Sequence, residues 1–311
     1  MASPETVAQL FARKPIFDVI VFDEASQCRL EESLPVLARG RRVVVAGDEQ
    51  QLPPTRFFES TLDDSDEDEG DKVATDQDLF ERQQSKTEDL LNASLQLQVR
   101  QAYLDVHYRS KNADLIEFSN RYFYKSRLQP IPSHPDLRAP EPPIKLYRVD
   151  GVFEKSANEV EAKKIVEIVK GLLARKDPPS IGIACMNVQQ RDEILQELDD
   201  AAAADEAFGK QLDAAKQRMG KGSFEGLFVK NLENVQGDER DEMIISTTYG
   251  PDKSGKFYQR FGPLQMSGGG RRLNVLVTRA ARACTSSPAF RQRRTATCRP
   301  FLRALRRRAA G

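Results

Sequence analysis

Histidine and cysteine are scarce in this 311-residue chain, with two of the first and four of the second. Cys28, Cys185, Cys284 and Cys298 show no ligand-like spacing, and His107 and His134 are the only histidines beside them, which argues against a zinc centre. The cysteines read as reduced thiols of a cytosolic protein. No apolar run approaches membrane-spanning length and no signal peptide is recognisable, so the expected location is cytoplasmic, without a membrane partner. No G-x-G-x-x-G follows a predicted strand, and Gly268-Gly269-Gly270 precedes a helix with no strand before it. A dinucleotide-binding enzyme is therefore a poor reading. The phosphate-cradling pattern G-x-x-x-x-G-K-[ST] is also absent from the whole chain.

Charge is balanced overall but unevenly placed. Residues 281–311 hold nine Arg, no Lys and no acid, so with a net charge of zero the other 280 residues carry −9. Part of that lies in Asp63-Asp64-Ser65-Asp66-Glu67-Asp68-Glu69-Gly70-Asp71. Such a block reads as a solvated loop.

Residues 16–22 are apolar nearly throughout and read as a buried strand. A short helix is expected over about Leu30 to Ala38, then a second buried strand over Arg42–Ala46 that ends at Gly47-Asp48. Strand, helix, strand at this spacing is a parallel unit. Two strands and one helix cannot cover both faces of a parallel sheet, so 1–55 reads as the C-terminal remnant of a first domain. Residues 56–98 read as an acidic insertion and linker with a short helix over 87–98. From 99 to 280 strands and helices alternate, which predicts a second α/β domain with a parallel sheet. Its candidate strands are Ala102–Val106, Ile144–Val149, Ser180–Cys185, Gly226–Val229 and Asp241–Thr247. Its candidate helices are 111–123, 157–174, 187–203 and 271–280. Pro130–Pro143 reads as an irregular connection, and 201–221 as a helical extension or a lid.

Chemistry concentrates in five stretches. Asp23-Glu24-Ala25-Ser26-Gln27 follows the first strand, and paired carboxylates there suit Mg²⁺ binding and activation of an attacking water. Alone, two acids at a helix start are also what the helix dipole favours. Gly47-Asp48-Glu49-Gln50-Gln51-Leu52-Pro53-Pro54 follows the next strand, which brings both stretches to the C-terminal edge of one sheet. The bland alternative is a turn, since Gly-Asp and Pro-Pro form turns. The third and fourth stretches are His107-Tyr108-Arg109-Ser110 and Val235-Gln236-Gly237-Asp238-Glu239-Arg240-Asp241. The fifth is Arg271-Arg272-Leu273-Asn274-Val275-Leu276-Val277-Thr278-Arg279-Ala280. There Leu273, Leu276, Val277 and Ala280 would share a helical face, with Arg272 and Arg279 on another. Arg279 is then either a solvated surface arginine or a planar, permanently charged fork for γ-phosphate oxygens. No dense basic-aromatic patch that would mark a nucleic-acid track stands out in residues 1–280.

Taken in order, these stretches resemble superfamily 1 helicases, best the Upf1-like branch and its large bacterial members with a long acidic insertion. Ser119-Asn120-Arg121-Tyr122-Phe123-Tyr124 fits that group, and the likeness covers roughly residues 15 to 280. The resemblance implies RecA-like parallel sheets, ATP and Mg²⁺ as cofactors, and movement along single-stranded DNA or RNA. It implies that Asp23 binds Mg²⁺ and Glu24 is the general base. Gln27 and Gln51 would couple the γ-phosphate to the inter-domain cleft. Arg109 and Arg279 would be arginine fingers, and Gly237 and Glu239 would approach the nucleotide ribose and phosphates.

The chain departs from the family pattern at both ends. Only 22 residues precede Asp23, so the phosphate loop and earlier strands have no counterpart. The expectation is a fragment of an ATP-dependent helicase or translocase, inactive alone and lacking its N-terminal helicase portion as a partner. The alternative is a non-hydrolytic RecA-like module that binds nucleic acid or a partner. The uncovered strands would expose an apolar face and an unpaired edge, an aggregation liability. Ala281–Gly311 shows no plausible strand and reads as a basic irregular tail. Out-of-frame translation from about residues 280–285 would yield such a stretch, and a genuine basic arm for nucleic acid is the rival reading.

Overall fold

The computed structural model describes residues 1–54, 89–131, 142–220, 223–257, 261–265 and 268–287. The acidic block, His134, most of Pro130–Pro143 and everything after Ser287 lie outside the described residues. The chain divides into two compact units, Met1–Tyr103 and Leu104–Gly311. No helix among the described residues is long and apolar enough to cross a membrane.

In the first unit, α1 (Pro4–Leu10) starts at Ser3, whose side chain accepts from Thr6 N, with Pro4 in the first turn. Strand β1 (Phe17–Phe22) and β2 (Gly40–Val45) pair in parallel, with Phe17 opposite Gly40 and Phe22 opposite Val45. Helix α2 (Leu30–Leu37) connects them, and α3 (Leu90–Gln96) is capped by the buried Asp89. Phe22, Ala25, Val36, Leu90 and Leu91 form the core. Helix α3 thus packs against the strands, although it lies within the 56–98 stretch that the sequence reads as a linker. One expectation is corrected here. The strands are not buried throughout: Val19, Val21 and Val44 are 49%, 64% and 51% exposed. Side chains alternate between faces along a strand, so the helices that cover Ile20 and Phe22 cannot also cover Val19 and Val21.

The second unit opens with α4 (Asp114–Tyr122) between the two-residue strands β3 (Val106–His107) and β4 (Gln129–Pro130). The predicted strand Ala102–Val106 is reduced to that short pairing. The main sheet is parallel and five-stranded, in the order β5 (Ile144–Leu146), β9 (Ala280–Ser287), β8 (Arg240–Ser246), β6 (Ile181–Cys185), β7 (Phe228–Asn231). Helices α5 (Glu159–Leu173), α6 (Val188–Ala204) and α7 (Glu206–Lys216) pack one apolar cluster against it, through Ile165, Val169, Ile194, Leu198, Phe208 and Leu212. Helix α7 is therefore part of the core, the helical-extension alternative for 201–221, and not a lid.

The C-terminal stretch holds two corrections. Helix α8 (Gly269–Val277) stops before Arg279, with Thr278 as its C-cap and Thr278 Oγ1 donating to Asn274 O and Val275 O at 2.9 and 3.0 Å. Ala280 consequently begins a strand and does not share a helical face with Leu273. The expectation of no strand after Ala280 is also overturned. Strand β9 lies between β8 and β5, with Met243 opposite Cys284 and Ile244 opposite Thr285. Its small residues Ala281, Ala283 and Cys284 are buried. A stretch short of branched and aromatic residues reads poorly as a strand, yet its central place supplies the burial. Both units are α/β with parallel sheets, in keeping with the RecA-like expectation.

A buried polar knot closes the C-terminal end of β8. Asn158 caps α5 by accepting from Glu161 N, and Gln190 bonds both backbone groups of Asn158. The fully buried Glu161 carboxyl accepts from Ser246 Oγ, Thr247 N and Thr248 N at 2.9, 2.7 and 3.0 Å. Burial nevertheless pushes its pKa up from 4.5 to about 7, the three donors only partly opposing it. The folded chain then holds more protons than the unfolded one between these values. Stability is greatest below about pH 4.5 for this group and falls as pH rises to about 7, by up to about 3 kcal/mol. Urea melts of parent and Glu161→Gln across this range should show a decline in the parent that the variant lacks.

Candidate active site

In the first unit, the candidate residues grow from the C-terminal ends of β1 and β2. Ala46 N donates to Phe22 O and Ala25 N donates to Ala46 O, at 2.8 and 2.9 Å, so the segments leaving the two strands stay side by side. Gly47 lies where they meet, with little room for a side chain. A Cβ there would lie 3.1 Å from Leu91 Cδ2 and 3.2 and 3.3 Å from the backbone nitrogens of Ser26 and Ala25. Glu24 adopts a left-handed conformation (φ 51°), uncommon for a non-glycine residue and found mostly where a side chain must be aimed. Asp23 and Glu24 are exposed, and Asp23 Oδ1 accepts from Glu24 N at 3.0 Å.

Gln27 and Gln51 are each tied to an acid. Gln27 Nε2 donates to Glu24 Oε2 at 3.5 Å, and Gln51 Nε2 donates to Asp48 Oδ2 at 3.2 Å. Asp48 Oδ1 accepts from Gln50 N, and buried Leu52 anchors the far side of the turn. Gly47 and Asp48 thus shape the turn that carries Gln51, a role the sequence motif alone does not reveal. The Cys28 thiol is pushed up by burial and then by Glu32, Glu24, Asp23 and Asp89. That negative field is the surrounding a divalent cation needs, although no cluster of three or more ligating side chains exists among the described residues. One or two carboxylates suffice for Mg²⁺, which keeps waters and takes substrate phosphates as its other ligands.

In the second unit, a separate group of candidate residues lies where β8 and β9 begin. Arg240 N donates to Arg279 O at 3.4 Å, and Lys111 N donates to Ala281 O at 2.8 Å. These bonds bring the third, fourth and fifth motif stretches to one corner. Arg109 Nε meets Glu239 Oε2 at 2.8 Å, with the two side chains 39% and 41% exposed. Gly237 sits in open space at φ 85°, which glycine adopts without cost. His107 Nε2 accepts from Ser110 N at 3.2 Å and lies 2.9 Å from Ser110 Oγ, which fixes the turn carrying Arg109. Burial, then the Arg109 charge, lowers the His107 pKa and favours the neutral ring.

Two arginines here are held inward. Arg240, which sequence reasoning did not single out, donates to Gly226 O through Nε and Nη2 and to Glu239 O through Nη1. Its guanidinium carbon lies 4.8 Å from the Phe228 ring centroid. Arg279 is only 4% exposed, and donates through Nε to Val275 O and through Nη2 to Thr278 Oγ1. Its backbone adjoins Arg240, whereas its side chain folds onto the end of α8, so it is not the solvated surface arginine that was one sequence alternative.

An AAA domain family model matches residues 75–286, and a second AAA domain model matches residues 5–59. An uncharacterized ATP-dependent helicase of Mycoplasma genitalium is 36% identical over 275 residues, which are 86% of this chain and 23% of that protein. An uncharacterized ATP-dependent helicase of Methanocaldococcus jannaschii is 27% identical over 289 residues, covering 86% and 35%. Regulator of nonsense transcripts 1 of Dictyostelium discoideum is 26% identical over 283 residues, covering 85% and 18%. The chain spans about a quarter of the length of the Mycoplasma relative.

The exposed Arg109–Glu239 pair should add less than about 1 kcal/mol to stability, because solvent screens it and both side chains lose freedom. Arg240 is different, since Arg240→Ala leaves the buried Gly226 carbonyl without its two donors and should cost about 2–3 kcal/mol. Chemical denaturation of Arg109→Ala, Glu239→Gln and Arg240→Ala checks this ordering.

Proposed function

We propose that this chain, which belongs to the superfamily 1 helicases of the Upf1-like branch, carries part of the engine of an ATP-dependent helicase or translocase acting on single-stranded DNA or RNA. The observation that carries this reading is the convergence at one corner of Arg109, Glu239 and the backbone of Arg279, from three distant stretches. Both units carry residues suited to this chemistry. From the first unit, Glu24 takes the proton of the attacking water, Gln27 and Gln51 orient groups around the γ-phosphate, and Asp23 holds Mg²⁺, which neutralises phosphate charge when bound. From the second, Arg109 and Arg279 stabilise charge on the transferring phosphoryl group, while Gly237 allows close approach and Glu239 accepts from the ribose. The ion pair with Glu239 keeps the Arg109 fork at the corner until phosphate oxygens replace it.

The 311 residues contain no glycine-rich loop with Lys-Ser or Lys-Thr, so this chain alone should not turn over ATP. The open face bearing Val19, Val21 and Val44 is the surface we assign to the remaining N-terminal helicase portion. A cytoplasmic setting agrees with the free cysteines at 28, 185 and 284. The second reading, a non-hydrolytic binding module, is favoured by the absent loop alone.

Steady-state ATPase measurements with added single strands separate the readings. The chain alone should show no turnover. Joined to a phosphate-loop segment of a relative, it should hydrolyse ATP, and Glu24→Gln should lower the rate by about 10²–10⁴-fold. Glu24-dependent turnover by the chain alone would refute the inactivity. A joined protein that binds ATP yet never hydrolyses it would leave the binding module.

A further inference from the structure

We infer that the loop Arg121–Arg127, with Arg271 at the start of α8, forms a preorganised grip for a single strand of nucleic acid. The inference rests on the helicase reading above and adds to it a surface whose role is not marked in the sequence, although residues 119–124 carry part of the family resemblance. The stretch Arg121-Tyr122-Phe123-Tyr124-Lys125-Ser126-Arg127 puts three cations and three rings into seven residues without an acid. Its density escapes notice in the sequence because Arg121 and Tyr122 complete helix α4 and the other five residues leave it.

The loop is built to hold one shape. The Asn120 side chain takes both backbone groups of Leu128, with Nδ2 donating to Leu128 O and Oδ1 accepting from Leu128 N, each at 2.8 Å. Ser126 N donates to Asn120 O and Arg127 N to Tyr124 O, at 2.7 and 2.9 Å. Inside this clasp Lys125 and Ser126 both take left-handed conformations, φ 53° and 59°, a costly arrangement for two successive non-glycine residues. Helix α8 is fastened to the same loop. Asn274 Nδ2 donates to Tyr124 OH at 2.9 Å, and a Cβ on Gly270 would lie 3.4 Å from the Phe123 ring.

What this rigid loop presents is positive charge beside a ring. Arg121 and Lys125 are exposed and Arg271 is half-buried, and none of the three has a carboxylate partner among the described residues. Arg127 is neutralised by Asp105 at 3.0 Å, and Glu117, one turn before Arg121, makes no ion pair with it. The Tyr122 ring is half-buried, backed by Phe118 at 4.9 Å between centroids, with the Arg121 guanidinium 6.0 Å from its own. Unpaired cations match a phosphodiester backbone, and a supported ring offers a stacking face that tolerates any base. Preorganisation lowers the ordering cost of binding a flexible strand.

The test is fluorescence anisotropy of short oligo(dT) and oligo(rU) with the full chain across a salt series. The triple variant Arg121→Gln, Lys125→Gln, Arg271→Gln should lose about tenfold or more in affinity. Its log–log salt slope should be shallower by about 2, since each phosphate contact contributes about 0.7 on single strands. Tyr122→Ala should weaken binding at an unchanged slope. Melting curves establish that the variants fold. A charge-matched control, Lys163→Gln, Lys210→Gln, Lys216→Gln, should bind as the parent does. Parent-like binding by the triple variant, or an equal loss in the control, overturns the grip and leaves the helicase reading standing. Displacement by polyglutamate as readily as by nucleic acid overturns the choice of partner. If the parent binds neither strand, the grip and the nucleic-acid part of the proposed function fall together.

Discussion

The parallel pairing of β8 with β9 is the constraint on which the second unit depends. Register sets Arg240 opposite Ala280, so the two strands begin side by side. Everything immediately before them in sequence is then delivered to one corner: the glycine turn at 237, Glu239, and the end of α8 at Arg279. The backbone bond from Lys111 to Ala281 brings the Arg109 turn to the same place. None of this needs a particular functional side chain. The corner is made by main-chain hydrogen bonds in a buried sheet, which is the most rigid support a protein offers for groups that must be placed accurately.

Polar groups at the two edges of that sheet serve different ends. At the strand ends, Glu161, Asn158 and Gln190 are wholly buried and bonded to one another and to backbone. Their role is structural, and Glu161 is costly enough to bury that its proton affinity rises. At the strand starts, Arg109 and Glu239 are exposed and held by a contact that solvent weakens. The first unit repeats the contrast on a smaller scale. Buried Asp89 serves as a helix cap, while exposed Asp23 and Glu24 sit on a turn fixed by Gly47 and a left-handed backbone. Burial thus separates carboxylates that build the fold from those free to meet a ligand.

Much of the architecture was legible because β6, β8 and the helices α5 and α6 carry dense apolar patterns at the right periods. The motif stretches were legible as residue types in order. What escaped has physical causes. Strand β9 is made of Ala, Cys, Thr, Ser and one Arg, and its burial comes from its neighbours and not from its own propensity. The strand faces at Val19 and Val21 were read as buried because an apolar run does not show which side is covered. Arg240 and Asn120 act by gripping backbone carbonyls and amides, and such contacts leave no periodic trace in sequence. The inward fold of the Arg279 side chain depends on where α8 stops, just before Thr278.

Arg279 carries the sharpest conflict of roles, because its side chain is folded onto the end of α8 and is also assigned to phosphate chemistry. Single-turnover hydrolysis by the chain joined to a phosphate-loop segment, with Arg or with Lys at position 279, tests the central claim most directly. Lysine keeps the charge and loses the planar fork. The account predicts a fall of about a thousandfold in the chemical step with the melting temperature little changed. Retained hydrolysis together with a lowered melting temperature would contradict it and leave Arg279 as a buried structural residue only.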